Sequence, residues 1–169
     1  NAALLGAGLM IISRCCSISQ AERSLDLEVI LTIAASFALG AALEKTGVAG
    51  YLATGIIDLS GGHPWLLLVL TYIAVSLLTE VITNNAAAIL MLPIVLQLTE
   101  QSGLNAEPFV FAIMMAASAS FATPLGYQTN LMVYGPGNYS FRDFLKAGLP
   151  MNLLIGAATI ISIVCLFDI

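Results

Sequence analysis

The stretch SLLTEVITNNAAAILMLPIVL, from Ser76 to Leu96, sets the tightest limit on what this chain can fold into. It is of membrane-spanning length and apolar on both sides, yet Thr79, Glu80, Thr83, Asn84 and Asn85 stand at its centre. In hydrocarbon a carboxylate and two amides are costly, so they must be paired, wetted or put to use. The rest of the chain rules out a soluble setting for them. Of its 169 residues 59% are hydrophobic and 9% charged, whereas soluble domains have about 45–50% and about 25%. The sequence therefore predicts an all-α integral membrane protein with several passes, or part of one.

Composition also excludes several function classes. The net charge of −5 and the scattered cations leave no basic surface for nucleic acid. Cys15, Cys16 and Cys165 have neither CxxC nor Cys/His spacing, so no zinc site or disulfide framework is predicted. No nucleophile–base arrangement is present, which argues against an enzyme. The chain opens at Asn1 on an apolar run, AALLGAGLMII, with no charged region before it, as expected of the C-terminal part of a longer transporter rather than a signal peptide.

The apolar runs can be placed in order. Residues 2–12 end a spanning helix, and the polar loop that follows contains SISQAE, where Ser17 or Ser19 can cap a helix. Val29 to Leu43 is long enough to span; Val48 to Leu59 is too short and is expected along the interface. After SGGHP come two arms on either side of the polar cluster, each of roughly 13–16 apolar residues and short for a span. Arg14 with Arg23, and Arg142 with Lys146, mark two loops as cytoplasmic. The number of crossings between those loops must be even. A re-entrant hairpin at about 64–98, tipped by Thr79–Asn85, satisfies that parity alongside a discontinuous helix at about 108–134 and a last transmembrane helix at about 146–167.

The discontinuity is written in SFATPLGYQTN, where Pro124 and Gly126 interrupt an apolar run. In TEVITNN, Asn84 and Asn85 can stop one arm and cap the next; Thr129 or Asn130 can cap the helix after the second break. Non-helical backbone at membrane depth is tolerated only inside protein or beside water. Such breaks expose carbonyls that suit cations and helix N-termini that suit anions. If the two breaks lie side by side, one site can hold both.

LLTEVITNNAAAILMLPI, followed about thirty residues on by ASASFATPLGYQTNLMVYGPGNYSFRDFLKAGLPMN, resembles the C-terminal half of the divalent anion/sodium symporters. The closest likeness is to sulfate-type permeases that carry TrkA-C domains. The resemblance implies one half of an inverted-repeat fold and sodium as the coupling ion. It further implies an N-terminal repeat outside this chain holding the other hairpin and first sodium site, and a homodimer in the cell membrane. Thr83, Asn84 and Asn85 stand at the hairpin-tip motif. The resemblance places sodium on Thr79, Ile82 (carbonyl), Asn84, Gly126 and Gln128, and the anion on Thr83, Asn84, Asn85, Tyr127, Gln128 and Thr129. Asn85 where dicarboxylate carriers have Thr, and GYQTN in place of a proline-rich break, favour a compact inorganic dianion such as sulfate. The other readings are a proton-coupled anion carrier and a channel-like or sensing module without coupled transport.

Glu80 has two readings, a proton-coupling carboxylate or an acceptor that pins the hairpin tip through backbone N–H groups. His63 reads as a turn residue at the outer interface, and YGPGN as a turn ending a helix, since it lacks the Lys-Ser/Thr of a phosphate-binding loop. The sequon Asn138-Tyr139-Ser140 falls on the cytoplasmic side, where it goes unused.

Overall fold

The computed structural model describes residues 2–25 and 27–167; among these every regular element is a helix and none is a strand. The chain divides into two compact units, Asn1–Ala34 and Ala35–Ile169. The first holds α1 (Ala2–Ile12), α2 (Ile18–Arg23) and the start of α3 (Leu27–Lys45). Of the two candidate caps, Ser17 is the one used. Its N–H donates to Gln20 Oε1 at 2.9 Å while Gln20 N–H donates to Ser17 Oγ at 3.3 Å, a reciprocal capping box.

In the second unit α4 (Val48–Ser60) turns 75° away from α3. Gly47, at φ 76°, makes that turn possible, because an L side chain rarely adopts that backbone. Then come α5 (Pro64–Thr79), α6 (Asn84–Ser102), α7 (Ala106–Ser118), α8 (Gln128–Tyr134) and α9 (Phe141–Leu166). Pro64 starts α5, where its missing N–H costs nothing, and the N-cap Asn105 accepts Glu107 N–H at 3.0 Å to start α7. The last helix starts earlier than its apolar run. Ser140 and Asp143 form a capping box that recruits the polar turn before Lys146. YGPGN closes α8 as a turn, with Gly137 N–H on Val133 O at 2.9 Å.

The core of this unit lies where α5, α6 and α7 meet, with α4 packed on α5 and α6 and α9 on α5 and α7. Leu67, Leu68 and Val75 of α5 face Val95 and Leu98 of α6 and Phe109 of α7, all fully buried. Ala112, Ala116 and Ala117 are the small side chains that let α7 approach its neighbours closely. Truncating the central ring, Phe109→Ala, is expected to destabilise the fold by about 3–5 kcal/mol, measurable as a lowered unfolding midpoint in detergent.

Outside the core the surface is apolar. Leu149, Leu153, Leu154, Ile161, Val164 and Leu166 of α9 are exposed. Among the described residues α9 alone is long and apolar enough to cross a bilayer by itself. Its 26 residues rise about 39 Å. An apolar surface of this extent is expected of a protein bathed in lipid.

Candidate functional site

Two chain breaks organise the site. The first, residues 80–83, separates α5 from α6; the second, residues 119–127, separates α7 from α8. They lie against each other and are tied by hydrogen bonds. Ser120 Oγ donates to Thr79 O at 3.1 Å, Thr123 Oγ1 donates to Glu80 O at 2.7 Å, and Ala122 N–H donates to Glu80 Oε1 at 3.0 Å. The polar backbone freed by each break is thus met by the other, which is how irregular chain survives among apolar helices.

At the junction, oxygens converge. Thr79 Oγ1 donates to Ala117 O at 2.8 Å. The Asn84 side-chain amide points Nδ2 at Ala117 O (3.1 Å), Gly126 O (3.0 Å) and Thr79 Oγ1 (2.9 Å), the orientation in which every contact pairs a donor with an acceptor. Turned over, the amide would bring Oδ1 to the same three oxygens. In that orientation the Thr79 hydroxyl can donate to Oδ1 at 2.9 Å, but the Ala117 and Gly126 carbonyls face Oδ1 with no proton between them, a repulsion that a cation would relieve; neutral carbonyl, amide and hydroxyl oxygens suit a hard cation. Ala117 O belongs to the last turn of α7, the negative end of that helix dipole. Gly126 can sit here only because it lacks a side chain. A Cβ would overlap Ser120 Oγ and stand 2.5 Å from Thr79 O.

Of the residues singled out from sequence, Thr79, Asn84 and Gly126 are drawn into this cluster. Ile82 is half-buried in the first break with its N–H on Leu78 O at 3.1 Å, and Gln128 is exposed. Among the described residues no hydrogen bond joins either of them to the cluster. Thr83 rather than Asn84 or Asn85 caps α6, accepting Ala86 N–H at 3.4 Å, because the helix begins one residue earlier than the amides suggest. Asn85 is exposed in the first turn of α6, where N–H groups lack intrahelical partners. Tyr127, Gln128 and Thr129 follow Gly126 directly and are exposed. Neither Thr129 nor Asn130 caps α8. Its N-cap is Tyr127, without a side-chain bond, and Asn130 folds back to donate to Ser120 O (3.1 Å) and Thr123 O (3.0 Å).

Of the two readings of Glu80, the acceptor of a backbone N–H is the one seen, the N–H being that of Ala122 in the second break. Sequence reasoning did not single out Ala117, Ser120, Thr123 or Asn152, and it read Asn130 only as a helix cap. Asn130 and Asn152 carried a signal, since an amide within an apolar helix needs a partner. A carbonyl such as that of Ala117 carries none.

Residues 1–168 match the family model described as citrate transporter. The chain belongs to the citrate transporter family. The resemblance to divalent anion/sodium symporters seen in its two break motifs is borne out with it, and the protein is an integral membrane protein. The family is one of transporters rather than enzymes. The chain is similar to an uncharacterized transporter of Synechocystis sp., 40% identical over 97% of this chain and 27% of that protein. It is also similar to the probable sodium/sulfate cotransporter 3 of Chlamydomonas reinhardtii, 44% identical over 90% of this chain and 17% of that protein. Human solute carrier family 13 member 4 is 26% identical over 79% of this chain and 21% of its own length. The chain thus spans about a quarter or less of the length of these relatives.

Proposed function

We propose that this chain is the C-terminal half of the transmembrane domain of a secondary active symporter, coupling sodium to a small divalent anion, with sulfate favoured over dicarboxylates. The observation that carries the reading is the meeting of Thr79 Oγ1, the Asn84 amide, Ala117 O and Gly126 O where two breaks interlock. Two relatives named sodium/sulfate cotransporters, from Chlamydomonas reinhardtii, support the choice of ion and anion.

In this reading α5 and α6 form the re-entrant hairpin of residues 64–98, because α5 at 16 residues rises about 24 Å against a hydrocarbon core of about 30 Å. Helices α7 and α8 are the halves of the discontinuous span at 108–134, and α9 supplies the last crossing at 146–167. Sodium sits among Thr79, Asn84, Gly126 and Ala117, with the Ile82 and Gln128 carbonyls completing its shell. The anion is held at the start of α6 by Thr83, Asn84 and Asn85, with Tyr127, Gln128 and Thr129 along the same wall. Asn84 stands between the two ligands. Sodium orders the breaks and its charge favours the anion beside it, so each ligand raises affinity for the other. The hairpin and broken helix then move as a body against the rest of the domain, exposing the site to each side in turn. The surrounding bilayer, an N-terminal repeat and a second copy complete the assembly.

Sulfate uptake by the full-length protein in proteoliposomes, with and without an inward sodium gradient, tests this reading. Saturable uptake driven by sodium and reduced more than about a hundredfold by Asn84→Ala is expected, as that change removes a ligand from both partners. Uptake indifferent to sodium and to Asn84 would overturn it, and a proton gradient that drives uptake instead would shift the coupling to Glu80.

A further inference from the structure

We propose that Glu80 and Asn152 form a clasp that positions the ion-binding oxygens, although neither belongs to the cluster itself; the functional part of this inference rests on the symport reading. Asn152 lies one turn beyond Gly148 on α9, so the two share a face. Gly148 allows α9 to touch bare backbone. A Cβ there would overlap the carbonyl of Phe121 and Cα of Ala122. At this contact Asn152 Oδ1 accepts Phe121 N–H at 3.3 Å, and its Nδ2 donates to Glu80 Oε1 at 2.7 Å. The same Oε1 accepts Ala122 N–H at 3.0 Å.

One amide and one carboxylate oxygen therefore satisfy two successive N–H groups of a non-helical segment. They also join three separate pieces of chain: the end of α5, residues 119–127 and α9. The clasped residues lie between Ala117 and Gly126, whose carbonyls enter the oxygen cluster, and next to Ser120, which bonds Thr79 O. A shift at Phe121 and Ala122 moves carbonyl ligands on both sides of them. Glu80 Oε2 is buried without a partner among the described residues, so the carboxylate acts through Oε1. That makes its role one of hydrogen-bond acceptor, which a glutamine oxygen can take over.

The test uses the full-length protein, with hydrogen–deuterium exchange over residues 119–127 and the sodium dependence of sulfate uptake as separate readouts. Asn152→Ala and Glu80→Ala are each expected to speed exchange at Phe121 and Ala122 about tenfold or more. Both should raise the sodium concentration for half-maximal uptake by a similar factor and weaken the preference for sodium over lithium. A merely structural defect would lower the maximal rate and leave that preference alone. The double alanine variant should add little to either single one, and Glu80→Gln should recover both readouts to within about threefold of wild type. Should Asn152→Ala fail to fold, Asn152→Ser, too short to reach Glu80, takes its place.

Unchanged exchange in the Asn152 variant would overturn the clasp whether or not sodium drives transport. Faster exchange with unaltered sodium dependence would overturn its positioning role. A Glu80→Gln variant as defective as Glu80→Ala would show that charge, not the acceptor oxygen, matters, and would also overturn it. Wild-type uptake that ignores sodium would instead refute the symport reading, with the exchange readout still deciding the clasp.

Discussion

On the proposed sodium-coupled reading, replacing Gly126 with alanine is expected to raise the sodium requirement for uptake at least about tenfold while leaving the helices in place. The added Cβ has nowhere to go. It would overlap Ser120 Oγ and lie 2.5 Å from the Thr79 carbonyl, and that carbonyl is fixed by the end of α5. Relief requires the second break to retreat from the first, which takes Gly126 O away from Asn84 and breaks the Ser120–Thr79 bond. Overpacking of this kind costs about 1–3 kcal/mol, and about 1.4 kcal/mol is a factor of ten in affinity. Sodium titration of sulfate uptake measures it. Gly55, a helical glycine of α4 with nothing within 4 Å of its Cβ position, is the control. Gly55→Ala should stabilise slightly, by about 0.5–1 kcal/mol, and leave the sodium requirement unchanged. An equally unchanged requirement in Gly126→Ala would remove the oxygen cluster from the sodium pathway.

The second large effect belongs to Gly148. Alanine there would set a methyl group against the backbone of Phe121 and Ala122, which cannot rotate away as a side chain could. Helix α9 must then lift from the second break, and the hydrogen bonds of Asn152 to Phe121 and Glu80 are lost together. Those two bonds, one of them to a carboxylate, and the overpacking itself add to a loss of about 3–5 kcal/mol. Thermal unfolding of Gly148→Ala in detergent should show a fall similar to that of Phe109→Ala. A melting temperature within a degree or two of wild type would mean that α9 is not held at this contact. The two glycines thus separate effects on the candidate site from effects on the fold: Gly126 acts chiefly on the oxygen cluster, Gly148 on the scaffold behind it.

Much of this was legible in the chain. Polar residues within an apolar run point to a protected or wet interior position, and Thr79, Glu80 and Asn84 are found there. Proline and glycine in SFATPLG foretold a break, and the helices stop at Ser118 and resume at Gln128. These features are local. Helix caps were legible only to within a residue. Thr83, Asn84 and Asn85 can all serve, and the choice of Thr83 follows from where α5 ends.

Residue types alone establish the kind of environment: an all-helical membrane protein with two broken elements that need partners, because hydrocarbon cannot hydrogen-bond free backbone or buried side chains. Which partners meet was decided by the tertiary structure alone. Glu80 and Asn152 are 72 residues apart, and nothing in either neighbourhood names the other. Ala117 and Gly126 enter the cluster through carbonyl oxygens, which every residue has and no side chain advertises. Residue type sets the cost of leaving a polar group unpaired, whereas only the packing of α5, α7 and α9 sets which groups come within about 3 Å of one another.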